Sequence, residues 1–271
     1  MVLRAIRNVL IQVISFLGIG YIFRSMHRKK GPLVRVLAFH DVANKAWFES
    51  LVVMMKEEYH IVSPQEFDER DFDPHTINVL LTFDDGYQSW IDVVLPVLTE
   101  HGVQGIFFLN SGLVDSATDE PKTDEYMKTR LKRSTKKALT WEGALMLANA
   151  GHSIGGHTVT HPNLAELQQE ERDTEIVNDK KRTESGLGVI LTHFAYPFGK
   201  AQYFTESVVQ SVKHAGYTHA FTAESGFVPS MEGNRETHQF AIPRTCIENN
   251  LSAHKASLWI SGCYDVVQYL K

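Results

Sequence analysis

Short apolar segments and amphipathic segments alternate along almost the whole chain, and this alternation restricts the fold more than any other feature. The segments "LVRVLAFHDV", "NVLLTFDDG" and "VQGIFFLNS" have the composition of buried strands. Between them, "AWFESLVVMMKEEY" and "WIDVVLPVLTEHG" have the apolar periodicity of helices. The pattern continues to "HQFAIPRTCI" without an internal repeat. It predicts a strand and turn at "HIVSPQEF", a long amphipathic helix from Asn163 to Gly188, and a strand ending in a turn at "VILTHFAYPFG". Because such alternation builds a parallel sheet with helices outside it, an α/β fold of about seven strand–helix units is predicted.

The size and composition of the chain indicate a globular domain. The chain has 271 residues, of which 43% are hydrophobic and 22% are charged, and its net charge is −5. A chain that binds nucleic acid usually has a basic balance, so nucleic acid is not an expected partner. We predict one catalytic domain over residues 31–271. The two cysteines, Cys246 and Cys263, are expected to be free thiols.

Residues 1–30 are predicted to form a separate N-terminal element. Residues 8–23 carry no charge, and arginines and lysines flank them on both sides. A helix of that length spans about 24 Å, which is short for a bilayer core of about 30 Å. Polar and small residues recur along one side, so the segment is predicted to be an apolar helix that anchors the protein in a membrane or lies in the interface. A helix packed on the following domain is the alternative, and the side of the membrane stays open.

Candidate functional side chains lie at or just after the ends of several predicted strands. The set consists of His40, Asp84, Asp85, His157, His161, Tyr196, Phe198 and Arg244. In parallel α/β folds the carboxyl ends of the strands converge on one site. We therefore expect these residues to form a single functional site.

The stretch "HTVTH" and the stretch "TFDDG" together indicate a metal site. Two histidines and one carboxylate can hold a divalent metal with open positions, as hydrolytic metal sites require. Adjacent carboxylates can divide the work, because Asp85 can bind the cation while Asp84 accepts a proton. The alternatives are two unrelated surface histidines, and a turn in which Asp85 caps the following helix.

Other polar stretches are weaker candidates. Asp115 to Leu139 is charge-rich and is predicted to be an exposed insertion or lid, whose basic run is a solvated face. His152 and His193 are expected to be structural. Trp90, Trp141, Tyr196 and Phe198 could stack on a sugar, although such rings are more often part of a core.

"TFDDGY", "HTVTHPNL" and "AYPFG", in this order and spacing, resemble the motifs of the polysaccharide deacetylases, the NodB-homology domain of carbohydrate esterase family 4. The resemblance covers most of the chain from His40 onward. It implies a distorted (β/α)7 barrel and the removal of acetyl groups from sugars with a divalent metal.

The same resemblance implies a role for each motif residue. Asp84 corresponds to the general base that deprotonates the metal-bound water, and Asp85, His157 and His161 correspond to the metal ligands. The backbone N–H of Phe198 corresponds to a donor that stabilises the oxyanion, with Tyr196 beside it.

Two positions depart from the family pattern. Ala195 stands where the third motif usually has an arginine that orients the base, and no late Leu-x-His motif supplies the general acid, because His254 lies outside that pattern. The sequence resembles the exopolysaccharide (poly-N-acetylglucosamine) deacetylase branch more closely, in which an early strand carries the acid. His40 is then the predicted acid, and Arg244 is predicted to replace the missing arginine beside Asp84.

Three functions follow from these observations. The first is a metal-dependent deacetylase of an N-acetylated amino sugar in a polysaccharide or lipid-linked glycan. The second is a hydrolase of the same fold that acts on a small non-sugar amide, and the third is a catalytically silent glycan-binding relative. Zinc suits the ligand set best, although nickel, cobalt or iron would also bind.

Overall fold

The longest strand begins at Ile77, ends at Asp85, and is buried along its whole length. A strand that is buried on both faces needs apolar residues on both, and "INVLLTF" largely provides them. The computed structural model describes residues 31–229, 238–249 and 251–268, and its sheet is built around this strand. The strands are β1 (Leu33–Phe39), β2 (His60–Ile61), β3 (Ile77–Asp85), β4 (Gly105–Leu109), β5 (Ser153–Gly156), β6 (His193–Ala195), β7 (His219–Phe221) and β8 (Arg244–Cys246).

The strands form a parallel sheet that nearly closes into a barrel. Their order is β7-β6-β5-β4-β3-β1-β8, and β2 pairs with the first half of β3. A parallel bridge between Phe221 and Ile242, just before β8, brings the two ends of the sheet together. The backbone N–H of Thr222 donates to the Ile242 carbonyl at 2.8 Å across this seam. The predicted barrel of alternating strands and helices is therefore confirmed.

Helices surround the barrel, and local capping signals explain several of their ends. Asn44 caps the first helix by accepting from the Trp47 N–H, Thr140 caps the helix that starts at Trp141, and left-handed Gly102 ends another. A π-helical turn, Trp90–Val94, leads into α3. The helices are α1 (Lys45–Glu58), α2 (Pro64–Glu69), α3 (Leu95–His101), α4 (Ser111–Ser116), α5 (Glu120–Tyr126), α6 (Trp141–Asn149), α7 (Gln169–Leu187), α8 (Glu206–His214), α9 (Ala253–Ile260) and α10 (Cys263–Gln268).

Two separate apolar cores hold the barrel together. The larger one lies between the strands and the helices and includes the stacked rings of Phe83 and Phe107, whose centroids are 4.5 Å apart. The smaller one fills the barrel interior and includes Val36, Phe108 and Phe221. Because side chains fill the interior, the barrel is a packed core and not a pore.

Three local predictions differ from the structure. "HIVSPQEF" was expected to be a strand and turn, but only His60–Ile61 is a strand, and α2 follows because Ser63 and Glu66 form a capping box ahead of a buried Phe67. The long helix expected from Asn163 begins only at Gln169. The strand expected over 189–199 is reduced to His193–Ala195.

The segment from Asp115 to Leu139 is more structured than an exposed insertion. It contains α5 and a further helical turn, and Met127 and Leu131 are buried in the larger core. Residues 132–137 form an exposed loop that ends where Ala138 pairs with Tyr87. The segment therefore packs on the barrel through its few apolar residues, which its charged composition made hard to recognise.

The predicted N-terminal element, residues 1–30, lies outside the described residues, and its helix, its membrane association and the boundary at residue 31 stay predictions. Within the described ranges, no helix has the length and apolar character that crossing a bilayer requires. Cys246 and Cys263 are free, as predicted.

A buried ion pair attaches the C-terminal helices to the first strand. Arg35 of β1 is fully buried, and its Nη2 donates to Asp265 Oδ2 of α10 at 2.6 Å. The same guanidinium donates to the Ile260 carbonyl and lies 3.9 Å from the centroid of the Phe227 ring. With its charge and its donors satisfied in this way, Arg35 can be accommodated in an otherwise apolar strand.

Replacing Asp265 with asparagine should destabilise the fold. The change leaves the Arg35 charge buried without a counter-ion, and breaking a buried pair in this way costs about 3–5 kcal/mol. The free energy of unfolding, measured by urea titration, should fall by that amount. The exposed Glu57→Gln variant is the control and should stay within about 0.5 kcal/mol of wild type. An Asp265→Asn variant as stable as the control would contradict the proposed importance of the pair.

Candidate active site

A cavity of about 910 Å³ opens at the carboxyl ends of the barrel strands. It brings together all eight residues that the sequence singled out. The predicted residues that line it are His40, Asp84, Asp85, His157, His161, Tyr196, Phe198 and Arg244. These residues come from different strands and loops, so the barrel assembles the site from distant parts of the chain.

Asp84 forms a bidentate salt bridge with Arg244. Arg244 Nη1 donates to Asp84 Oδ1 at 2.6 Å and Nη2 donates to Oδ2 at 2.7 Å, and both residues are buried. Burial alone would raise the pKa of Asp84, but the charge and hydrogen bonds of Arg244 outweigh it, so the pKa is lowered. Asp84 is therefore held ionised and in a fixed orientation, and its part in catalysis stays a prediction.

Arg244 reaches Asp84 from inside the barrel and not from the carboxyl end of a strand. It is the first residue of β8 and pairs with Val36 in the middle of β1. Its guanidinium also donates to the Thr222 carbonyl and packs over the Phe108 ring at 5.3 Å. A long side chain can cover this distance, which is why the position could replace an arginine that the third motif lacks.

A backbone distortion turns Asp85 toward the same cavity. Successive residues of a strand point to opposite faces, so Asp85 would otherwise face the helices behind Asp84. Its φ of 86°, followed by Gly86 at 120°, takes the chain out of the strand conformation. Aspartate tolerates this left-handed region better than most residues. Tyr87 then donates its hydroxyl to Asp85 Oδ2 at 3.1 Å and holds the carboxylate in place.

Two imidazoles converge on Asp85. His157 Nε2 lies 3.5 Å and His161 Nε2 lies 3.8 Å from Asp85 Oδ1. His157 Nδ1 is 2.7 Å from the Ala195 carbonyl, so this ring presents Nε2 to the carboxylate. The identity of residue 195 matters little for this contact, because a backbone carbonyl makes it.

The three side chains fit a divalent metal. Their candidate ligand atoms all lie within 4.8 Å of one another, and donor atoms about 3.3 Å apart surround a tetrahedral ion with bonds of about 2.0 Å. Separations of 3.5 and 3.8 Å are longer than hydrogen bonds but close to that spacing. His161 Nδ1 is also buried without a hydrogen-bond partner in the described part of the chain. Because the donor set is two nitrogens and one oxygen, a metal such as zinc suits it.

Two buried or partly buried carboxylates on α7, which the sequence did not single out, hold the loop between the histidines. Asp179 accepts from the His157 N–H at 3.0 Å and from the Ser111 N–H at 3.0 Å. One turn earlier on the same face, Glu175 accepts from the N–H and the hydroxyl of Thr160 at 2.8 and 2.7 Å. Such residues are hard to recognise in the sequence of a charge-rich helix. Only their spacing of four residues could have indicated that they share a face.

The segment after β4 supports the same loop from the other side. Tyr126 donates its hydroxyl to the Val159 carbonyl at 2.8 Å, and the Gly112 N–H donates to the same oxygen at 3.1 Å. A Cβ at Gly112 would come within 2.4 Å of that oxygen, so glycine is required there. Thr158 and His161 both have positive φ values, and these external contacts hold the loop in that conformation.

Replacing Asp179 with asparagine should loosen the histidine loop. The NH2 group of asparagine cannot accept a hydrogen bond, so one of the two backbone N–H groups would lose its acceptor. The free energy of unfolding should therefore fall by about 1–3 kcal/mol. Zinc affinity should fall as well, because His157 loses its anchor. Denaturant titration and calorimetry measure the two effects. Glu170→Gln, an exposed change on the same helix, is the control, and equal behaviour of the two variants would contradict the positioning role.

Phe198 and Tyr196 both belong to the third motif, "AYPFG", but differ in their exposure to solvent. Phe198 has a φ of 62°, and the Gly199 N–H donates to the Pro197 carbonyl at 2.7 Å, which makes a tight three-residue turn. Within the described residues, the backbone N–H of Phe198 has no hydrogen-bond partner, and the side chain is 38% exposed and packs against His161. Tyr196 is only 1% exposed and donates its hydroxyl to the Phe240 carbonyl, so its side chain forms the wall and offers little surface to a substrate.

His40 follows β1 and lies close to both carboxylates. Burial would raise the pKa of Asp85, but the surrounding imidazoles of His157, His40 and His161 outweigh it, so the pKa is lowered. Trp90 fixes the backbone here by donating its indole N–H to the His40 carbonyl at 2.9 Å. The neighbouring Asp41 pairs with Lys136 at 3.2 Å, which connects it to the 132–137 loop at the rim.

The chain matches the family model described as polysaccharide deacetylase over residues 73–220. It is 30% identical over 123 residues to the peptidoglycan-N-acetylglucosamine deacetylase of Bacillus cereus, and the matched region covers 45% of this chain and 36% of that protein. It is 29% identical over 168 residues to the peptidoglycan-N-acetylmuramic acid deacetylase PdaA of Bacillus subtilis, with 60% and 52% covered. These matches therefore span about a third to a half of the relatives' own lengths.

The fold is also similar to that of a solved structure, the Streptococcus pyogenes deacetylase PplD in complex with acetate. The TM-score is 0.68 at 20% identity, with 85% of this chain and 99% of that chain covered. At this identity the likeness supports the barrel architecture alone.

Proposed function

The chain belongs to the polysaccharide deacetylase family of hydrolases, and we propose that it uses a bound divalent metal to remove the N-acetyl group of an amino sugar in a glycan. One observation supports this most directly. An ionised carboxylate, Asp84, lies beside the metal-type set of Asp85, His157 and His161 in a single cavity. Amide hydrolysis needs both parts, because one group must accept a proton from water while a cation offsets the charge that develops.

The proposed metal would be held by Asp85, His157 and His161. When bound, it would polarise the acetamide carbonyl and make a nearby water more acidic. Asp84 would accept the proton from that water, and Arg244 would keep the carboxylate ionised and pointed at it. Tyr87, Ala195 and the α7 carboxylates would hold the ligands in position.

Two further groups would complete the reaction. Phe198 lines the cavity, and its backbone N–H, which has no partner in the described chain, would donate to the carbonyl oxygen as that oxygen gains negative charge. His40 would give a proton to the leaving nitrogen, because an amine leaves far more easily once it is protonated. Its place in the same cavity, near both carboxylates, suits this task.

A glycan polymer suits the shape of the cavity better than a small amide does. The cavity has a volume of about 910 Å³, and among its lining residues are exposed Phe198 and partly exposed Tyr203, whose ring centroids are 5.1 Å apart and on which a sugar could stack. The two relatives named above are both deacetylases of peptidoglycan sugars. We therefore propose an N-acetylated polysaccharide as the substrate class.

Acetate release from a substrate panel tests this proposal. The panel contains N-acetylglucosamine oligomers of increasing length, intact peptidoglycan, and small amides such as acetamide, each with added zinc. The proposal predicts acetate from the glycans, with kcat/KM rising with chain length, and none from the small amides. Hydrolysis of small amides alone would favour a non-sugar amidase, and no acetate from any substrate would favour a silent glycan-binding protein.

A further inference from the structure

A second group of two histidines and one carboxylate lies at the opposite mouth of the barrel. His193 begins β6 and His219 begins β7, and the two are direct neighbours in the sheet. Their side chains share the inward face with Ala195 and Phe221, two residues further along each strand, which belong to the interior core. Asp68 reaches the same point from α2, the short helix that covers this mouth.

The spread of the ligand atoms in this group is the same as in the catalytic set, because those of all three residues lie within 4.8 Å of one another. His219 Nδ1 lies 3.8 Å from Asp68 Oδ1, close to the spacing of about 3.3 Å around a tetrahedral ion. His193 Nε2 lies 2.8 Å from the same oxygen, within hydrogen-bond distance. The two imidazole rings are stacked with centroids 5.4 Å apart.

The surroundings leave these groups able to bind a cation. Thr192 Oγ1 lies 3.1 Å from His193 Nδ1, which directs the other ring nitrogen, Nε2, toward Asp68. The side chain of Asp68 is 36% exposed while those of the histidines are 3% and 12% exposed, which gives an ion one route in from solvent.

A hydrogen bond between Asp68 and His193 would by itself attach α2 to the barrel. It does not involve His219, whose Nδ1 lies 3.8 Å from the same carboxylate oxygen and 3.0 Å from Thr218 Oγ1. It also does not account for two imidazoles side by side at a mouth where Phe67 packs 5.9 Å from Phe221. One ion would join all three side chains at once.

We propose that Asp68, His193 and His219 form a second binding site for a divalent transition metal, at the barrel mouth opposite the catalytic cavity. The three residues leave one position of a tetrahedral ion open to water through the exposed side of Asp68. Because they come from α2, β6 and β7, the ion would tie the covering helix to two strands. The site would therefore stabilise the fold without contributing to the chemistry.

Zinc titration of the full chain tests the second site separately from the first. In a His157→Ala/His161→Ala background, which removes the catalytic ligands, calorimetry with zinc sulfate should still show one equivalent bound. Adding Asp68→Asn or His219→Ala to this background should abolish that equivalent. Asp71→Asn, the same charge change at an exposed position just after α2, is the control and should leave it intact.

Thermal unfolding gives a second measurement on the same proteins. Zinc should raise the Tm of the His157→Ala/His161→Ala protein and of its Asp71→Asn control, and should not raise it once Asp68→Asn is added. Circular dichroism establishes that each variant is folded, and the exposed position of Asp68 makes that variant the safest. The proposal is overturned if the folded background protein binds no zinc, or if its zinc survives both Asp68→Asn and His219→Ala. Neither outcome depends on catalysis.

Discussion

Replacing Asp84 with asparagine is expected to lower kcat/KM for acetate release by about 10²–10⁴-fold, the usual contribution of a positioned general base. Asparagine keeps the shape of the side chain but cannot accept a proton from water. The fall in kcat/KM should come mainly from a lower kcat, because Asp84 is proposed to act on the water and not to bind the sugar. Steady-state acetate release from N-acetylglucosamine oligomers measures it.

The same substitution also removes the counter-ion of buried Arg244, so stability must be separated from chemistry. An unpaired buried charge costs about 3–5 kcal/mol, and circular dichroism at the assay temperature shows whether the variant is folded. The double variant Asp84→Asn/Arg244→Gln removes both charges and should recover stability without recovering activity. Asp92→Asn, an exposed change, should match wild type in both respects. Activity that returns with stability in the double variant would show that Asp84 is structural.

Replacing His157 with alanine should remove the catalytic metal. The expected results are one fewer zinc per chain by elemental analysis and a fall in activity of about 10³-fold, because a metal supplies several kcal/mol of transition-state stabilisation. His157 is the best ligand to change, since the Ala195 carbonyl and Asp85 both fix its ring. The exposed His254→Ala variant on α9 is the control and should keep its metal and its activity. Full zinc content in a folded His157→Ala protein would show that the metal binds elsewhere.

Much of the site could be predicted because its residues lie in short, chemically distinctive stretches at strand ends. The carboxylate pair after an apolar strand and the spaced histidines indicated a cavity that the barrel does assemble. The pairing of Arg244 with Asp84 followed from a missing arginine at Ala195, since a buried base needs a cation to stay ionised. What the sequence did not reveal is that this arginine lies inside the barrel.

The supporting contacts could not be predicted from local patterns. Asp179 and Glu175 look like part of the solvated face of a charged helix, and only the packing of α7 on the histidine loop shows otherwise. Tyr196 was predicted to be near the substrate, but tertiary packing commits its hydroxyl to a backbone carbonyl. His193 was expected to be structural, and its neighbour His219 becomes apparent only through the register of β6 and β7. Contacts between residues far apart in sequence leave no local signal.

Metal removal and replacement in the wild-type protein is the most direct test of the proposed mechanism. Acetate release from N-acetylglucosamine oligomers is measured before chelation, after dialysis against a chelator, and after zinc is added back. The mechanism predicts that activity is lost on chelation and restored by zinc, while the circular dichroism spectrum of the protein stays unchanged. Undiminished acetate release from protein shown to be free of metal would contradict it.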